Sequence, residues 1–459
     1  MNQIGIIGLG TMGANLARNF ASRQIKTAVF NRTIETTKEF IANFGGEGHL
    51  TGYETLKEFI DSLESPRKVM LMVTAGPATE AVIEQLAEIL SPKDIIIDGG
   101  NTNYKDTIRR TEQLKAKQIN FIGCGVSGGE KGALEGPSLM PGGDLQVLEE
   151  IMPFLEQIAA KDFNGNPCVH PFEGIGAGNL IKTVHNGIEY GLMQVLADAY
   201  EVLRKVYNLK PEGIAEIFKD FNRSELNGFL LETAIQVLEK PDTFNKSEKL
   251  INYISDEAGS KGTGGWTVEA ALEYGVPVPT LAASLFARQL SAWPEQRLKD
   301  KALFPRPLAD QITKDPLDIF TAKLEQAVWL SCIVSFMQGI RLIDEVSLKN
   351  NWGVYTGDVV RVWQGGCIIR TQLLKYFPLI ENGKLLESKL PTTTNSLAYV
   401  YSIAAKFGVA TPALSNSFDY IAYSTDPNLP TNFVQGLRDC FGAHTYKRND
   451  RDGVFTENW

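Results

Sequence analysis

Four apolar residues, Ile4 to Ile7, run straight into Gly8-Leu-Gly10-Thr-Met-Gly13, and a helical pattern starts directly behind the last glycine. A strand that breaks into glycines and resumes as a helix leaves few folds open. Gly8 permits a tight turn, Gly10 keeps the backbone bare, and Gly13 lets the helix lie close on its strand. The helix then begins with free N–H groups and a partial positive charge, the setting for a pyrophosphate. Leu9, Thr11 and Met12 complete the loop. A G-x-G-x-x-G by itself is a weak signal; the strand before it and the helix after it make a dinucleotide site the expectation.

The second strand ends in Phe30-Asn31-Arg32-Thr33. An acid at this point would bind the ribose 2′-hydroxyl of NAD, and none is present. Arg32 suits a 2′-phosphate instead, so the expected cofactor is NADP, with Asn31, Arg32 and Thr33 beside it.

Short β-branched runs recur at Thr27–Phe30, Val69–Val73, Ile95–Asp98 and Phe121–Gly123, separated by helical patterns such as Ala14–Arg23 and Thr36–Phe44. Strands alternating with helices imply βαβ units and a parallel sheet. The character changes near Gly174-Ile-Gly-Ala-Gly178, beyond which strand patterns almost vanish. Ala177 to Asn208 reads as one long helix stopped by Pro211, and further helices follow to about residue 424. Asp426–Trp459 has no clear period and reads as an extended tail, disordered or docked on another surface. The expected division is residues 1–176, an α/β Rossmann-type domain; 177–425, a helical domain; and 426–459, the tail. A shift of 144 residues aligns Met193-Gln194 with Met337-Gln338 and Glu201-Val202 with Glu345-Val346, which suggests two similar helical halves.

Composition excludes several classes. The 459 residues carry 45 Lys+Arg against 54 Asp+Glu, a net charge of −9, so a broad nucleic-acid or anionic-membrane surface is not expected. An anionic ligand must therefore meet a local cluster of cations. The longest uncharged apolar stretch, Ala327–Ile340, is short for a membrane span and reads as a buried helix. Five cysteines are scattered without C-x-x-C spacing, and the chain opens directly in a strand; a cytoplasmic protein with reduced thiols is expected.

Within the long helix, Lys182, His185, Asn186 and Glu189 fall at i, i+3, i+4 and i+7. At ~100° per residue, seven steps return to within about 20° of the start, so a cation, an imidazole, an amide and a carboxylate share one face. A solvated amphipathic face is the commoner origin of such a stripe. Gly178, Gly187 and Gly191 argue against it, because each costs about 1 kcal/mol in a helix unless something must approach the backbone. The positions 144 later, Gln326, Trp329, Leu330 and Ile333, build a similar helix without the stripe.

These residues, with Ile97-Asp-Gly-Gly-Asn101, Gly125-Val-Ser-Gly-Gly129, Lys182-Thr-Val-His-Asn-Gly-Ile-Glu-Tyr190, Ile254 to Trp266, Trp363-Gln-Gly-Gly-Cys-Ile-Ile-Arg370 and Phe441-Gly-Ala-His-Thr-Tyr446, carry a resemblance over the whole chain. The sequence resembles the 6-phosphogluconate dehydrogenase family, the decarboxylating enzymes of the oxidative pentose phosphate route. The resemblance implies a Rossmann-type domain, a helical domain of two similar halves, and a tail reaching into the partner of a homodimer, with NADP as cofactor and no metal. By the same resemblance Lys182 matches the general base and Glu189 the general acid. Ser127, Gly128 and Gly129 match the loop beside substrate and nicotinamide, Asn101 a residue near both ligands, and Val73, Thr74 and Ala75 a cofactor loop in which a lysine is frequent at position 74. His185, Asn186 and Tyr190 match substrate contacts, Lys261 and Arg288 phosphate contacts, and Arg438 and His444 contacts supplied by the second subunit's tail. Asn179 and Lys131 depart from the common family pattern. The implied reaction removes a hydride from a secondary alcohol and then CO2 from the β-keto acid. Lys182 can take the hydroxyl proton only when neutral, and Glu189 can supply a proton to the enediol only when protonated. Another β-hydroxyacid dehydrogenase and a non-catalytic NADP-binding protein stay open as alternatives; the duplicated helices and the Lys182–Glu189 pair speak against them.

Overall fold

A computed structural model describes residues 1–259, 262–304, 313–377 and 386–459. The first third forms one eight-stranded sheet: β1 (Ile4–Ile7), β2 (Thr27–Phe30), β3 (Leu50–Gly52), β4 (Lys68–Leu71), β5 (Ile95–Asp98), β6 (Asn120–Ser127), β7 (Ser138–Gly143) and β8 (Phe172–Glu173). The order is β3-β2-β1-β4-β5-β6-β7-β8, which places the reversal of strand order between β1 and β4, where α/β sheets bind ligands. The strands are apolar because the sheet is covered on both faces. Ile4, Ile6, Ile95 and Ile97 enter one apolar layer, and Ile7, Val69, Leu71 and Ile96 the other.

The expected parallel sheet is found, with one reversal of direction: β7 runs antiparallel to β6, with Cys124 opposite Pro141 and Ser127 opposite Ser138. Only residues 128–137 connect the two strands, and a parallel crossover needs a dozen or more. Ser138-Leu-Met-Pro-Gly-Gly143 has the composition of a turn, which hid the strand.

Helix Ala177–Val206 follows, its start set by Gly176 in the left-handed region (φ 90°). It ends at Val206, earlier than expected, and Pro211 opens the next helix rather than stopping this one. A second long helix, Leu317–Asn350, packs across it where Gly339 lies against Ile188 and Val184, and Gly191 against Ser335. This helix contains Ala327–Ile340; its apolar window is long enough to cross a membrane by composition, yet 78% of it is buried in the fold. Trp329, Leu330 and Ile333, which correspond to the polar stripe in the internal repeat, all lie in the core.

The tail is not wholly extended. Thr431–Gly442 is a helix, and its apolar residues Phe433, Val434, Leu437 and Phe441 follow a helical spacing that Gly436 and the polar flanks obscure. The Asp439 carboxylate then gathers the chain end: it accepts from Thr445 N (2.8 Å), Thr456 Oγ1 (2.9 Å), Glu457 N (3.1 Å) and Trp459 Nε1 (2.8 Å). Phe433, Phe441 and Trp459 remain 69%, 74% and 65% exposed.

Candidate active site

The glycine loop behaves as its spacing requires. Gly8 has φ 98°, and a Cβ on Gly13 would lie 1.9 Å from the Gly8 carbonyl oxygen. Gly10 has open space around it. Helix Thr11–Ser22 starts without a side-chain cap, leaving N–H groups for a ligand. Asn31 Oδ1 accepts from Leu9 N (3.1 Å), tying the end of β2 to the loop. Arg32 is exposed and has no hydrogen bond or ion pair among the described residues. A bare backbone, free amides and an unpaired guanidinium fit a dinucleotide with an extra phosphate.

Residues far apart in sequence meet because they sit at the carboxyl ends of neighbouring strands. The Gly8–Gly13 loop leaves β1, Val73, Thr74 and Ala75 follow β4, Asn101 follows β5, and Ser127 ends β6 with Gly128 and Gly129 directly behind it. The β5 loop is pinned from beneath. Asp98, fully buried, accepts from Gly100 N (3.0 Å), Thr102 Oγ1 (2.8 Å) and Arg110 Nη1 (3.0 Å), and Arg110 reaches on to Glu80.

Helix Ala177–Val206 reaches this edge through glycine contacts. A Cβ on Gly178 would meet the Met140 carbonyl oxygen at 2.1 Å, one on Gly142 would meet Gly178 N at 2.2 Å, and one on Gly125 would meet Lys182 Cβ at 2.5 Å. The room expected around the helix glycines is thus taken by protein: strands at Gly178, Thr267 at Gly187, and Leu281 and Ser335 at Gly191. Asn179, a departure from the family pattern, accepts from Thr107 Oγ1 (2.8 Å) over Gly123.

The stripe is buried rather than solvated. Lys182, His185, Asn186 and Tyr190 are 9%, 0%, 8% and 7% exposed, and the Glu189 side chain 23%. Lys182 Nζ lies 3.3 Å from His185 Nδ1, Asn186 Oδ1 lies 3.2 Å from the same nitrogen, and His185 Nε2 lies 3.1 Å from Ser127 Oγ. Burial lowers the Lys182 ammonium to about 8, against the pull of Glu189. Burial and Lys182 hold His185 well below its ordinary value, so the ring is neutral. Burial raises the Glu189 carboxyl, opposed by Lys182 and Arg288. One desolvated face therefore moves a base and an acid in the directions that proton transfer near neutrality requires. Arg288, on helix Pro279–Ser291, stacks its guanidinium 3.7 Å from the Tyr190 ring centroid.

Some expected neighbours are not joined. Lys261 lies outside the described residues. Arg438 bonds Gln435 Oε1 (3.0 Å), and the His444 ring lies 5.9 Å from that of Phe441. Among the described residues no hydrogen bond, ion pair or ring contact links either to Lys182, Glu189 or Arg288.

Residue types alone did not assign the Trp363–Arg370 segment a place, yet it lies beneath the stripe. The Trp363 ring meets His185 edge-on at 6.0 Å. Cys367 donates its thiol to the Trp363 carbonyl (3.0 Å) and is close enough to Lys182 to affect its charge. Gly366 presses its carbonyl against Gly128, where a Cβ would come within 2.5 Å. The glycine pair and the buried tryptophan were the available signals, but no spacing rule connects positions 363 and 185.

Comparison with known proteins gives a consistent set of relatives. A family profile described as the NAD binding domain of 6-phosphogluconate dehydrogenase matches residues 3–172, and one described as the 6-phosphogluconate dehydrogenase C-terminal domain matches residues 178–459. The Bacillus subtilis NADP(+)-dependent, decarboxylating 6-phosphogluconate dehydrogenase is 41% identical over 100% of this chain and 99% of its own. The Escherichia coli decarboxylating 6-phosphogluconate dehydrogenase is also 41% identical, over the same shares. Among solved structures, Plasmodium falciparum 6-phosphogluconate dehydrogenase, studied with NADP+ and with 6-phosphogluconate, superposes with a TM-score of 0.94 at 37% identity, covering 100% of both chains.

Proposed function

The chain belongs to the 6-phosphogluconate dehydrogenase family, and from that premise we propose how its residues divide the NADP-dependent oxidative decarboxylation of 6-phosphogluconate to ribulose 5-phosphate, CO2 and NADPH. The observation that carries the reading is the placement of Lys182, His185 and Glu189 on one desolvated helix face beside the end of β6, where burial lowers the ammonium and raises the carboxyl. Bound NADP supplies the hydride acceptor. Neutral Lys182 takes the proton of the substrate hydroxyl as oxidation proceeds, and its ammonium then faces the new carbonyl oxygen while the carboxylate leaves as CO2. Lys182 lends its proton to that oxygen to give the enediol; protonated Glu189 then delivers a proton to C1 while Lys182 takes the enediol hydroxyl proton back as the ketone forms. One proton returning from Lys182 to Glu189 resets the pair. Ser127, Gly128, Gly129, Asn101, His185, Asn186 and Tyr190 hold the sugar acid, and Lys261 and Arg288 meet its phosphate.

The assembly is a homodimer in this reading, with Arg438 and His444 donated by the second subunit. The exposed apolar face of helix Thr431–Gly442 and the tail's internal bonding to Asp439 support it: the segment is already folded, so docking it costs less ordering entropy than a loose chain would. The proposed compartment is the cytoplasm, in keeping with four buried free thiols.

The test is absorbance of the reduced nicotinamide with 6-phosphogluconate and either cofactor, with CO2 release followed in parallel. Reduction without CO2 release would overturn the reading. Two variants sharpen it. Arg32→Glu should weaken NADP by roughly 10- to 100-fold, the value of a charge-assisted bond, and leave NAD much less affected. Glu189→Gln should slow incorporation of solvent deuterium at C1 of the product by roughly 100-fold, because an amide has no proton to give on this pathway, while KM changes little.

A further inference from the structure

His185 is fully buried between three polar groups, and the place its single proton must take depends on whether Lys182 can accept or only donate. We propose that its imidazole changes tautomer with the charge on Lys182, and so decides whether the Ser127 hydroxyl donates inward to the ring or outward to a bound ligand. The donor and acceptor inventory leaves two states. With Lys182 neutral, Nδ1–H points at the lone pair of Nζ and at Asn186 Oδ1, and Nε2 accepts from the Ser127 hydroxyl. With Lys182 charged, Nζ can only donate. Nδ1 must then offer its lone pair, the ring proton sits on Nε2, and it is donated to Ser127 Oγ.

The protons balance across the change. The Nδ1 proton passes to Nζ, the Ser127 hydroxyl proton passes to Nε2, and the serine oxygen takes up the one incoming proton, which in turnover is the substrate hydroxyl's, so that Lys182 receives its proton by relay through Ser127 and His185. That last hydrogen is free to point away from the ring. Proton uptake by Lys182 thereby turns the β6 serine into a donor toward the ligand side at the moment a keto acid forms. Asn186 Oδ1, an acceptor beside Nδ1, sides with the neutral-lysine state and favours the base form. Among the described residues, the other titratable or charged groups facing this hydrogen-bonded chain are Glu189 on the same helix, Arg288 from helix Pro279–Ser291 and Cys367 from the segment under Trp363. His185 acts here through Ser127 and Lys182 as a positioning residue. Its use in turnover rests on Lys182 being the base, but the tautomer is read without substrate, so the two readings fail separately.

The experiment is nitrogen NMR of the full-length protein labelled at histidine. Four histidines are present, and His185 is assigned by its absence in His185→Gln. From about pH 6 to about pH 10, the protonated nitrogen should move from Nε2 to Nδ1, with a midpoint near about 8. Lys182→Met should freeze the proton on Nδ1. Glu189→Gln should keep the switch and move its midpoint to lower pH, since the carboxylate that favours the charged lysine is gone. One tautomer throughout the range, a switch that persists in Lys182→Met, or a switch lost in Glu189→Gln would each overturn the proposal.

Discussion

Lys182→Met is expected to abolish oxidation, with a loss of at least roughly 10²- to 10⁴-fold in kcat, the range associated with a positioned base. Substrate binding should stay measurable, because the phosphate and sugar contacts proposed above lie on other residues. In the unaltered enzyme the rate should fall as pH drops through about 8, since only the neutral amine accepts a proton. The same variant should be more stable. A lysine whose folded value lies below its unfolded value of ~10.4 lets the unfolded chain bind the extra proton between the two. Stability contributed at this position therefore rises with pH across that window, and the full penalty stands below about 8. Removing the buried cation should raise stability at neutral pH by on the order of 3 kcal/mol, read as a higher melting temperature. A variant that keeps near-normal turnover would remove Lys182 from the role of base.

Mixing inactive variants should restore activity if the tail completes a neighbour's site. Lys182→Met subunits and Arg438→Ala subunits are each expected to be nearly inactive as homodimers. A mixed dimer holds one site built from an intact Lys182 and the other chain's intact Arg438, while its second site carries both lesions. Random exchange at equal amounts should return about a quarter of the unaltered activity. The exposed Phe433, Leu437 and Phe441 face gives the tail a surface with which to dock. Mixed dimers that form and stay inactive would confine Arg438 to its own chain or to no site at all.

Much of the fold and the site is legible in the sequence. The loop Gly8–Gly13 and the stripe Lys182–Glu189 are local patterns, fixed by one turn and one helix, and both stand where periodicity put them. β7 was not legible, because Pro141, Gly142 and Gly143 carry turn propensity and the strand exists through pairing with β6 and contact with Gly178. The tail helix was hidden by Gly436 amid a good apolar period. Trp363 and Cys367 were visible as a motif but had no assignable place, since only the tertiary fold carries them under His185. The lowered Lys182 value needed burial to be weighed against Glu189, which is a balance of surroundings and not of residue types.

The contact of Gly178 with Met140 and Gly142, and of Gly125 with Lys182, has a mechanical consequence. Where side chains separate two layers, rotamer changes let the layers slide; where backbone rests on backbone, they do not. The first turn of helix Ala177–Val206 is therefore seized to the sheet edge, and the place of Lys182 against the end of β6 is a fixed dimension of the molecule. Any change in the spacing between Lys182 and Arg288 must then come from helix Pro279–Ser291, which carries Arg288, rather than from the sheet. The stripe then sits on a rigid anvil, and any adjustment is left to the helix laid against it.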